Sequence, residues 1–456
     1  MSAIINNSFR KYQADNFIAS ISSNSVYLAI GKNDPWSGNS RGEYADGTFS
    51  DTVLPAPPLD TNIASSKHWD DFIALKRINS SSVSHVIKRV NWISGTVYDA
   101  YDDVQDDLID KNFFVFDDVT FNVYKCIDNN GGGVSTNKPT GTGTSINGRT
   151  IDGYVWKFMF QVKQPDVLKY VTTDWIPVKS PAGDSEPEQK AVEDAAIDGK
   201  LQHIKITNGG SSYLIEIGTV SASSSTTVTL GAGASSINDT YKDMDIFIDT
   251  GLGNTQLRRI TAYDGTTKLA TISTAWTTLP TPAGSSTYVV APAVVILPVG
   301  SSNGTGGTAR VKTVTGGVIK DVVMVEGGQG YRVASASIVV ALNGVNATIL
   351  PVLSPLGGHG NDAVSELGGA FVMMNTRLTG TENSDFPVND DFRKVHVVVN
   401  PRVIASGNAI ATETTYQQIP TPELKKNTGQ ILYTEFRVPI NRAADSTEDI
   451  KLVVEF

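Results

Sequence analysis

The segment LRRITAYDGTTKLATI, residues 257–272, contains two runs of alternating apolar and polar side chains on either side of the pair Asp264-Gly265. Alternation with a period of two residues is typical of β-strands that cover a core with one face. An Asp-Gly pair between such runs favours a turn. A third alternating run, Met244–Ile248, precedes them. The segment therefore predicts antiparallel strands of a small β module at about residues 220–290.

The surrounding region, residues 201–355, has the same character. Short β-branched runs stand between clusters of Gly, Ser and Thr, and helical periodicity is almost absent, which predicts a sandwich or a small barrel. A weak repeat pairs Ile204–Tyr213 with Val322–Tyr331. Each copy is a strand, a Gly-Gly turn and a tyrosine that could cover the turn. Two copies are too few for a solenoid, so we interpret them as strands that bracket an inserted module.

Two helices are predicted in the N-terminal part of the chain. The first covers residues 6–22, where apolar residues recur at helical spacing: Ala14, Phe17, Ile18 and Ile21. The second runs from about Ser66 to Ile78, with Ser65 or Ser66 as its cap. Its common face contains Trp69, Phe72, Ile73 and Lys76. Between these helices, the alternation in Val26–Ile30 predicts a strand.

Further strands are predicted outside the β-rich region. Residues 113–127 read as a hairpin with a turn at Asp117-Asp118, residues 129–150 as a loop, and Tyr154–Phe160 as a strand. Later strands are expected at Ala370–Met374, Val395–Val399 and Ile450–Phe456. The predicted fold class is mainly β, with β-sandwich domains and a few short helices, α+β overall.

The composition changes predict four segments. Residues 1–181 form the N-terminal part of the main body, and 182–200 form a polar linker or short exposed helix. Residues 201–355 form an inserted β-rich domain, and 356–456 form the C-terminal part of the body.

Overall composition narrows the classes of function. A chain of 456 residues is long enough for two or three domains. The formal net charge of −10 and the pI near 5.1 predict no nucleic-acid partner, because binding to a phosphate backbone normally requires a basic face. Cys126 is the only cysteine. We therefore expect neither an intrachain disulfide nor a cysteine-based zinc site.

No export or membrane segment is predicted. The first residues, MSAIINN, lack the basic start and apolar core of a secretory signal. The longest apolar stretch, Tyr288–Val299, is interrupted by Pro292 and Pro298 and is far shorter than the ~20 residues that a membrane helix needs.

One motif matches a catalytic pattern in its letters. Gly300–Gly304 fits the G-x-S-x-G nucleophile elbow of hydrolases. Pro298 interrupts the run before it, and the glycine-rich residues 305–308 stand where a helix is required, so a flexible turn is favoured. Gly141-x-Gly143 and Gly251-x-Gly253 lack the third glycine of a dinucleotide fingerprint and are interpreted as loops.

The histidines and aspartates give no local metal site. No two histidines are three or four residues apart, although a site built from distant segments stays open: His68, His85, His203, His359 and His396. His359, in Gly-Gly-His-Gly with Asp362 nearby, is the best candidate for an exposed imidazole. A turn histidine bonded to backbone is favoured over that role.

An acidic run lacks the register of a calcium loop and is interpreted as a solvated helical face: Asp99, Asp102, Asp103, Asp106, Asp107 and Asp110. Trp36, Trp92 and Trp175 fit either a core or a partner anchor. The sequence thus predicts no catalytic residue, no cofactor and no metal site.

Collinear motifs near both ends of the chain resemble one family. They are SVYLAIGKNDPWS (25–37), VIKR with Trp92 (86–92), VYKCID (123–128), DGYVWK (152–157), DFR through NP (391–401), ILYTE (431–435) and the terminal strand to Phe456. Together these motifs are similar to the baseplate wedge subunits of contractile-tailed bacteriophages, the type that corresponds to the eighth gene product of the best-known such phage. The region 201–355 departs from the family as an enlarged insertion. Part of it, Leu257–Trp276, resembles small β modules of other phage structural proteins.

The resemblance implies a β-sandwich body with helical excursions, a homodimer, and a place in the wedges of the tail baseplate. It implies a mechanical role, in which the subunit holds other baseplate wedge proteins while the baseplate rearranges, without catalysis. It also implies location in the virion and in the host cytoplasm during assembly. Two alternatives stay open. The Ser/Thr/Gly-rich insertion favours a receptor- or glycan-binding tail protein, and Gly300–Gly304 with dispersed carboxylates such as Glu326 and Glu366 would suit an envelope-degrading enzyme.

Overall fold

The computed structural model describes residues 7–37, 48–56, 62–102, 105, 107–339, 344–378, 391–404, 410–412, 418–420, 424–440 and 448–456. Among these described residues, strands hold 44% and helices 13%, which confirms the predicted β-rich α+β class. The chain forms two compact units. Unit 1 contains residues 1–89, 162–180 and 367–456, and unit 2 contains residues 90–161 and 181–366.

The helices are α1 (Asn7–Ser23), α2 (Asn62–Asp71), α3 (Gln164–Tyr170), α4 (Pro187–Asp194) and α5 (Ala363–Glu366). Short 3-10 helices lie at Ser80–Ser82 and Leu108–Asp110.

The strands of the first half are β1 (Val26–Gly31), β2 (Phe72–Ile78), β3 (Val83–Lys88), β4 (Phe114–Phe116), β5 (Asn122–Asp128), β6 (Val155–Gln161), β7 (Trp175–Val178), β8 (His203–Ser211), β9 (Glu216–Thr219), β10 (Ala222–Ser223) and β11 (Thr227–Thr229). Those of the second half are β12 (Met244–Thr250), β13 (Leu257–Asp264), β14 (Leu269–Ile272), β15 (Thr287–Pro292), β16 (Val294–Pro298), β17 (Thr305–Thr315), β18 (Val318–Gln329), β19 (Ala334–Ile338), β20 (Val345–Val352), β21 (Phe371–Leu378), β22 (Phe392–Val399), β23 (Arg402–Ile404), β24 (Ile410–Thr412), β25 (Gln418–Pro420), β26 (Leu424–Lys425), β27 (Gln430–Ile440) and β28 (Glu448–Glu455).

Unit 1 is a β-sandwich. Its larger sheet has the order β25-β2-β1-β22-β27, and its second sheet has the order β28-β21-β3-β7. Residues of both sheets share one core, in which Leu28 of β1 and Met374 of β21 are fully buried. Helix α1 contributes Ala14 and Ile21 to this core, as its apolar spacing predicted. The other face of β1 is also covered, since Tyr27 and Ala29 belong to a second core cluster.

The second predicted helix is partly wrong. The chain is helical over Asn62–Asp71 and then changes to strand β2 at Phe72, so Ser65 and Ser66 lie inside the helix and do not cap it. Strand β2 pairs antiparallel with β1, and Ile78 stands opposite Val26. This pairing, together with the ladder to β25 on the other side, outweighs the local helical spacing because β-propensity depends on the neighbours that a strand finds.

The hairpin of unit 2 is confirmed, with a longer connection than predicted. Strands β4 and β5 pair with Phe114 opposite Lys125, and residues 117–121 connect them. The Asp117 carboxylate accepts hydrogen bonds from the Val119 amide and the Thr120 hydroxyl. Strand β6 adds to β5. Helix α4 lies in the predicted linker, and it is not simply exposed because Gln189 and Val192 are buried.

The predicted module at about 220–290 is a closed ring of strands with its own core. Its order is β10-β11-β14-β13-β12-β15-β9. Strands β9 and β10 follow each other in the chain, so one bent segment pairs with β15 at one end and with β11 at the other. The enclosed core includes Met244, Ile260 and Tyr288. The prediction of a sandwich or small barrel is confirmed for this module.

The repeated segments form two copies of one three-strand module. One copy contains β16, β17 and β18, and the other contains β19, β20 and β8. In each copy the glycine pair lies within the strand and not in a turn, and its second glycine, Gly210 or Gly328, has a φ of +62°. A Cβ added to either glycine would lie within 3 Å of the Tyr213 or Tyr331 ring. The tyrosines therefore cover the glycines as predicted, because only glycine leaves room for the ring.

The two copies contact each other reciprocally. The Tyr213 amide donates to the Gly317 carbonyl at 2.9 Å, and the Tyr331 amide donates to the Gly199 carbonyl at 3.1 Å. Strands β16 and β19 pair antiparallel with Ile296 opposite Ala336. A pseudo-twofold axis thus relates the copies. The repeated segments therefore bracket the inserted module, as predicted, and they also belong to two copies of one module that pack against each other.

Candidate functional site

Unit 2 contains a fully buried lysine. The Lys125 side chain, on β5, is 0% exposed. Its ammonium group donates to the Glu366 carboxylate, lies 2.8 Å from His359 Nδ1 and stands 4.3 Å from the centroid of the Tyr101 ring. The Glu366 carboxylate also accepts from the Gly360 amide at 2.6 Å. The glycine-rich turn around His359 is therefore held to the sheet by a buried ion pair.

A second lysine in unit 2 shares this environment. Lys157, on β6, is 1% exposed, and its ammonium group donates to the Thr144 carbonyl at 2.8 Å. Burial, and then the charge of Lys125, lower the pKa of Lys157 to about 8. Burial and both lysines hold the pKa of His359 well below its usual value. His359 is thus neutral at pH 7, as a proton acceptor toward Lys125 must be.

Unit 1 contains a comparable network around Lys394 of β22. The Lys394 side chain is 0% exposed, and its ammonium group donates to Asp71 at 2.8 Å and lies 3.3 Å from His68 Nδ1. The rings of His68 and His396 are 5.0 Å apart. Burial, and then Lys394, lower the pKa of His68 to about 4. Both histidines are neutral at pH 7, since burial also holds the pKa of His396 well below its usual range.

A third network in unit 2 centres on Arg149. This guanidinium group donates to Asp128 at 2.8 Å and to Asp321 at 3.4 Å. His203 Nε2 lies 2.9 Å from the same Asp128 carboxylate. Burial alone would raise the pKa of Asp128, but its interactions with His203 and Arg149 lower that pKa to about 2. His203 and Asp321 are equivalent positions of the duplicated module, so Arg149 joins both copies to the loop that precedes β6.

A cavity of about 360 Å³ lies beside this third network. Its walls are the loop 144–149, residues 200–203 before and at the start of β8, and residues 321–327 of β18, with Val155 and Ala195 completing the lining.

The structure corrects the interpretation of His359. The side chain is 1% exposed, so the imidazole is not presented to solvent. It bonds to a lysine side chain and not to backbone. Asp362 instead accepts from the Ser365 amide and hydroxyl at the start of α5.

The hydrolase-like motif lies in a turn between β16 and β17. The Ser302 hydroxyl accepts from the Arg332 amide at 3.0 Å, and strand β17 begins at Thr305 where a nucleophile elbow needs a helix. The geometry therefore fits a turn, as predicted.

The acidic run is solvated but not a helical face. The described members are all exposed: Asp99, Asp102, Asp107 and Asp110. Asp103 and Asp106 lie outside the described residues. Among the described residues of the run, only Leu108–Asp110 is helical, as a single 3-10 turn. Of the three undecided tryptophans, Trp36 is fully buried, while Trp92 and Trp175 are half-buried.

No metal centre is formed by the part of the chain that the structure describes, where no group of three or more His, Cys, Asp or Glu side chains could hold an ion. Cys126 is buried, and burial raises the pKa of its thiol. Within the described ranges, none of the helices is both long enough and apolar enough to span a membrane.

Sequence reasoning missed the buried lysines. Each stands in an apolar strand run, Tyr-Lys-Cys for Lys125 and Trp-Lys-Phe for Lys157. Such a placement was a usable signal, because lysine is almost never fully buried without a partner. The partner Glu366 is 241 residues from Lys125, so local spacing could not identify it.

These features define a class of protein by its fold: a β-rich protein whose buried charged clusters hold its own segments together. The comparison with known families is more specific. The model of the family described as "Bacteriophage T4, Gp8" matches residues 363–456. The resemblance to the phage baseplate wedge subunits is thereby confirmed in this C-terminal segment, and the match supports a structural role in a phage tail baseplate. No curated protein matches the chain.

Proposed function

We propose that this chain is a non-catalytic subunit of the baseplate wedge that binds neighbouring baseplate proteins and a second copy of itself. The family match at residues 363–456 carries the proposal. It is supported by the use of the buried charges, because Lys125 and Lys394 bond to groups within their own units. A subunit that transmits force benefits from rigid β units, since packed interiors resist deformation.

The matched segment supplies central elements of unit 1. It provides β21, in the middle of the second sheet, and β22, beside β1 in the larger sheet. Strands contributed by the N-terminal part of the chain, β1 and β3, pair directly with them. The resemblance of residues 25–37 and 86–92 to the same family is therefore supported by a fold in which strands β1 and β3, drawn from these segments, complete the sandwich of unit 1.

Affinity capture from a lysate of infected cells tests the binding role. The tagged chain is expected to retain other baseplate proteins in stoichiometric amounts through a moderate-salt wash, as measured by mass spectrometry. The untagged chain is the control. Retention of no other baseplate protein, or absence of the chain from purified virions, would contradict the proposal.

Light scattering coupled to gel filtration tests self-association. A homodimer has twice the chain mass of 48.7 kDa. A single species at the chain mass over a wide concentration range would remove self-association from the proposal and leave the binding of other proteins intact.

A further inference from the structure

Unit 1 holds an amine and a carboxylate in contact within its interior. The Lys394 ammonium nitrogen lies 2.8 Å from Asp71 Oδ2. The Lys394 side chain is 0% exposed, and the Asp71 side chain is 12% exposed. Atoms that are placed to react lie about 3–3.5 Å apart. Since the oxygen at 2.8 Å is bonded to the carboxyl carbon, the lysine nitrogen lies close to the atom that it would attack.

The fold fixes both partners through the backbone. Lys394 belongs to β22, which lies between β1 and β27 in the larger sheet. Asp71 is the last residue of α2 and directly precedes β2. Its carbonyl accepts a hydrogen bond from the Lys32 amide at 2.9 Å. The amine and the carboxylate are therefore held together before any reaction, and this arrangement lowers the entropic barrier to bond formation.

Aromatic rings lie beside the amine. The Lys394 nitrogen is 5.2 Å from the centroid of the Phe436 ring and 5.9 Å from that of the Trp36 ring. The two rings also contact each other, with 4.8 Å between their centroids. Opposite charges in such surroundings lack the hydration that they would have in water. Condensation to an amide would replace both charges with a neutral group, and would remove this desolvation cost.

A neutral base also contacts the amine. His68 Nδ1 lies 3.3 Å from the Lys394 nitrogen. An ammonium group can only donate, so this ring nitrogen is the acceptor. The pKa of His68, lowered to about 4, keeps the imidazole neutral at pH 7. The imidazole can therefore accept a proton from the amine and return it in a later step.

We propose that Lys394 and Asp71 condense to an amide, which links the two side chains covalently and releases one water molecule. The ammonium group first gives a proton to the Asp71 carboxylate, which leaves an amine and a carboxylic acid. The amine attacks the carboxyl carbon while His68 accepts a second proton from the nitrogen. His68 then returns that proton to the departing hydroxyl group, so that water leaves and the third proton stays on the amide nitrogen. No oxidant or other reactant is consumed.

The link would change how the chain bears force. It joins residue 71 to residue 394, so a pull on the two ends of the chain would pass through the amide and would bypass residues 72–393. A covalent cross-link also stabilises a fold by constraining the unfolded chain. The inference does not depend on the proposed binding role, although a subunit that transmits force would benefit from the link.

Two other ion pairs should stay ionic. Lys426 lies 2.8 Å from Asp70, but both side chains are exposed, at 43% and 48%. Solvated charges have little desolvation cost to remove, so this pair is an internal control. In unit 2 the Gly360 amide donates to the Glu366 carboxylate at 2.6 Å. A hydrogen bond of this kind stabilises the charged carboxylate opposite Lys125.

Mass spectrometry of the purified full-length chain, kept at pH 7 until its mass no longer changes, tests the link. We expect an intact mass that is lower by one water than the processed sequence requires. Trypsin should release residues 68–76 joined to residues 394–402, because an acylated Lys394 is not cleaved. A chain of full mass, with residues 68–76 recovered as a free peptide, would overturn the proposal. A lighter chain whose linked peptides contain other residues would overturn it as well.

Three variants test the assigned residues. Lys394→Met should have the full mass that its sequence requires, whereas Lys426→Met should still lose one water. His68→Gln should be mostly unlinked when the unchanged chain is fully linked, because a general base accelerates such a step by about 10²–10⁴-fold. Circular dichroism verifies that each variant is folded. Loss of the link in Lys426→Met, or equally fast linkage in folded His68→Gln, would contradict the roles assigned to Lys394 and His68.

Discussion

Replacement of Glu366 by glutamine tests whether the buried ion pair holds unit 2 together. The variant keeps the shape of the side chain but removes the charge that faces the fully buried Lys125 ammonium. Removing one partner of a buried ion pair costs about 3–5 kcal/mol, because the remaining charge stays desolvated. Lys125 is expected to respond by losing its proton, since burial already lowers its pKa and Glu366 is the group that opposes the shift.

Urea unfolding followed by circular dichroism measures the effect. At pH 7 the Glu366→Gln variant is expected to lose about 3–5 kcal/mol of unfolding free energy in the transition of unit 2. The loss should shrink as the pH rises toward 10.5, the ordinary pKa of a lysine, because neutral Lys125 no longer needs a counter-charge. The double variant Lys125→Met with Glu366→Gln, which buries no charge, should recover part of the loss. A cost below 1 kcal/mol for Glu366→Gln, or no recovery in the double variant, would refute this reasoning.

Three further outcomes are expected from unfolding measurements. The pKa of Lys157 is lowered from 10.5 to about 8, so Lys157→Met should raise the free energy of unfolding at pH 7 by up to about 3 kcal/mol. The unfolded chain binds more protons than the folded chain between pH 8 and 10.5, so the stability of the unchanged chain should rise in that window. An equal gain from Lys157→Met at pH 11 would contradict the lowered pKa of Lys157. The pKa of His68 is lowered from 6.5 to about 4, so between those values this side chain binds its proton only in the unfolded chain. His68 alone should therefore account for about 2 kcal/mol of the stability lost between pH 7 and 5, and a His68→Gln variant should lose less than the unchanged chain by that amount. Gly328→Ala should destabilise the duplicated module by several kcal/mol, because the new Cβ would lie 2.6 Å from the Gly307 nitrogen. Gly300→Ala should cost only about 1–2 kcal/mol, because Gly300 has a similar φ of +64° but its new Cβ would have no atom within 4 Å. Equal urea midpoints for these two variants would show that the close contact does not matter.

Local patterns were sufficient for elements whose core-facing residues are close in sequence. The stripe of α1 and the alternation in 244–272 each indicate which side chains face the core, and the structure places Ala14, Ile21, Met244 and Ile260 there. Local patterns failed where a distant partner decides the conformation. Residues 72–78 have helical spacing, yet they form a strand because β1 and β25 pair with both of its edges.

The buried charge networks could not be predicted for the same reason, because their partners are distant in sequence. Lys394 lies 323 residues from Asp71 and 326 residues from His68. Spacing arguments consider only neighbours along the chain. They find no pair of histidines within one helical turn, and they cannot identify partners as distant as these. The apolar context of Lys125 and Lys157 could have indicated burial, because a lysine surrounded by strand-forming apolar residues needs a partner wherever the fold supplies one. The identity of that partner required the folded chain.

The duplicated module also explains how the β ring is accommodated in unit 2. One copy, β16 to β18, is continuous, whereas the other is divided between β8 and the pair β19 and β20, with the ring between its parts. The ring begins at Glu216 and ends near Val290, and these residues stand directly opposite each other in the ladder of β9 and β15. Opposite residues of an antiparallel pair are about 5 Å apart, so the chain leaves the module and returns to it at nearly the same place. An insertion with adjacent ends adds little strain to its host. The divided copy can therefore keep the same tyrosine-covered glycine and the same reciprocal contacts as the continuous copy.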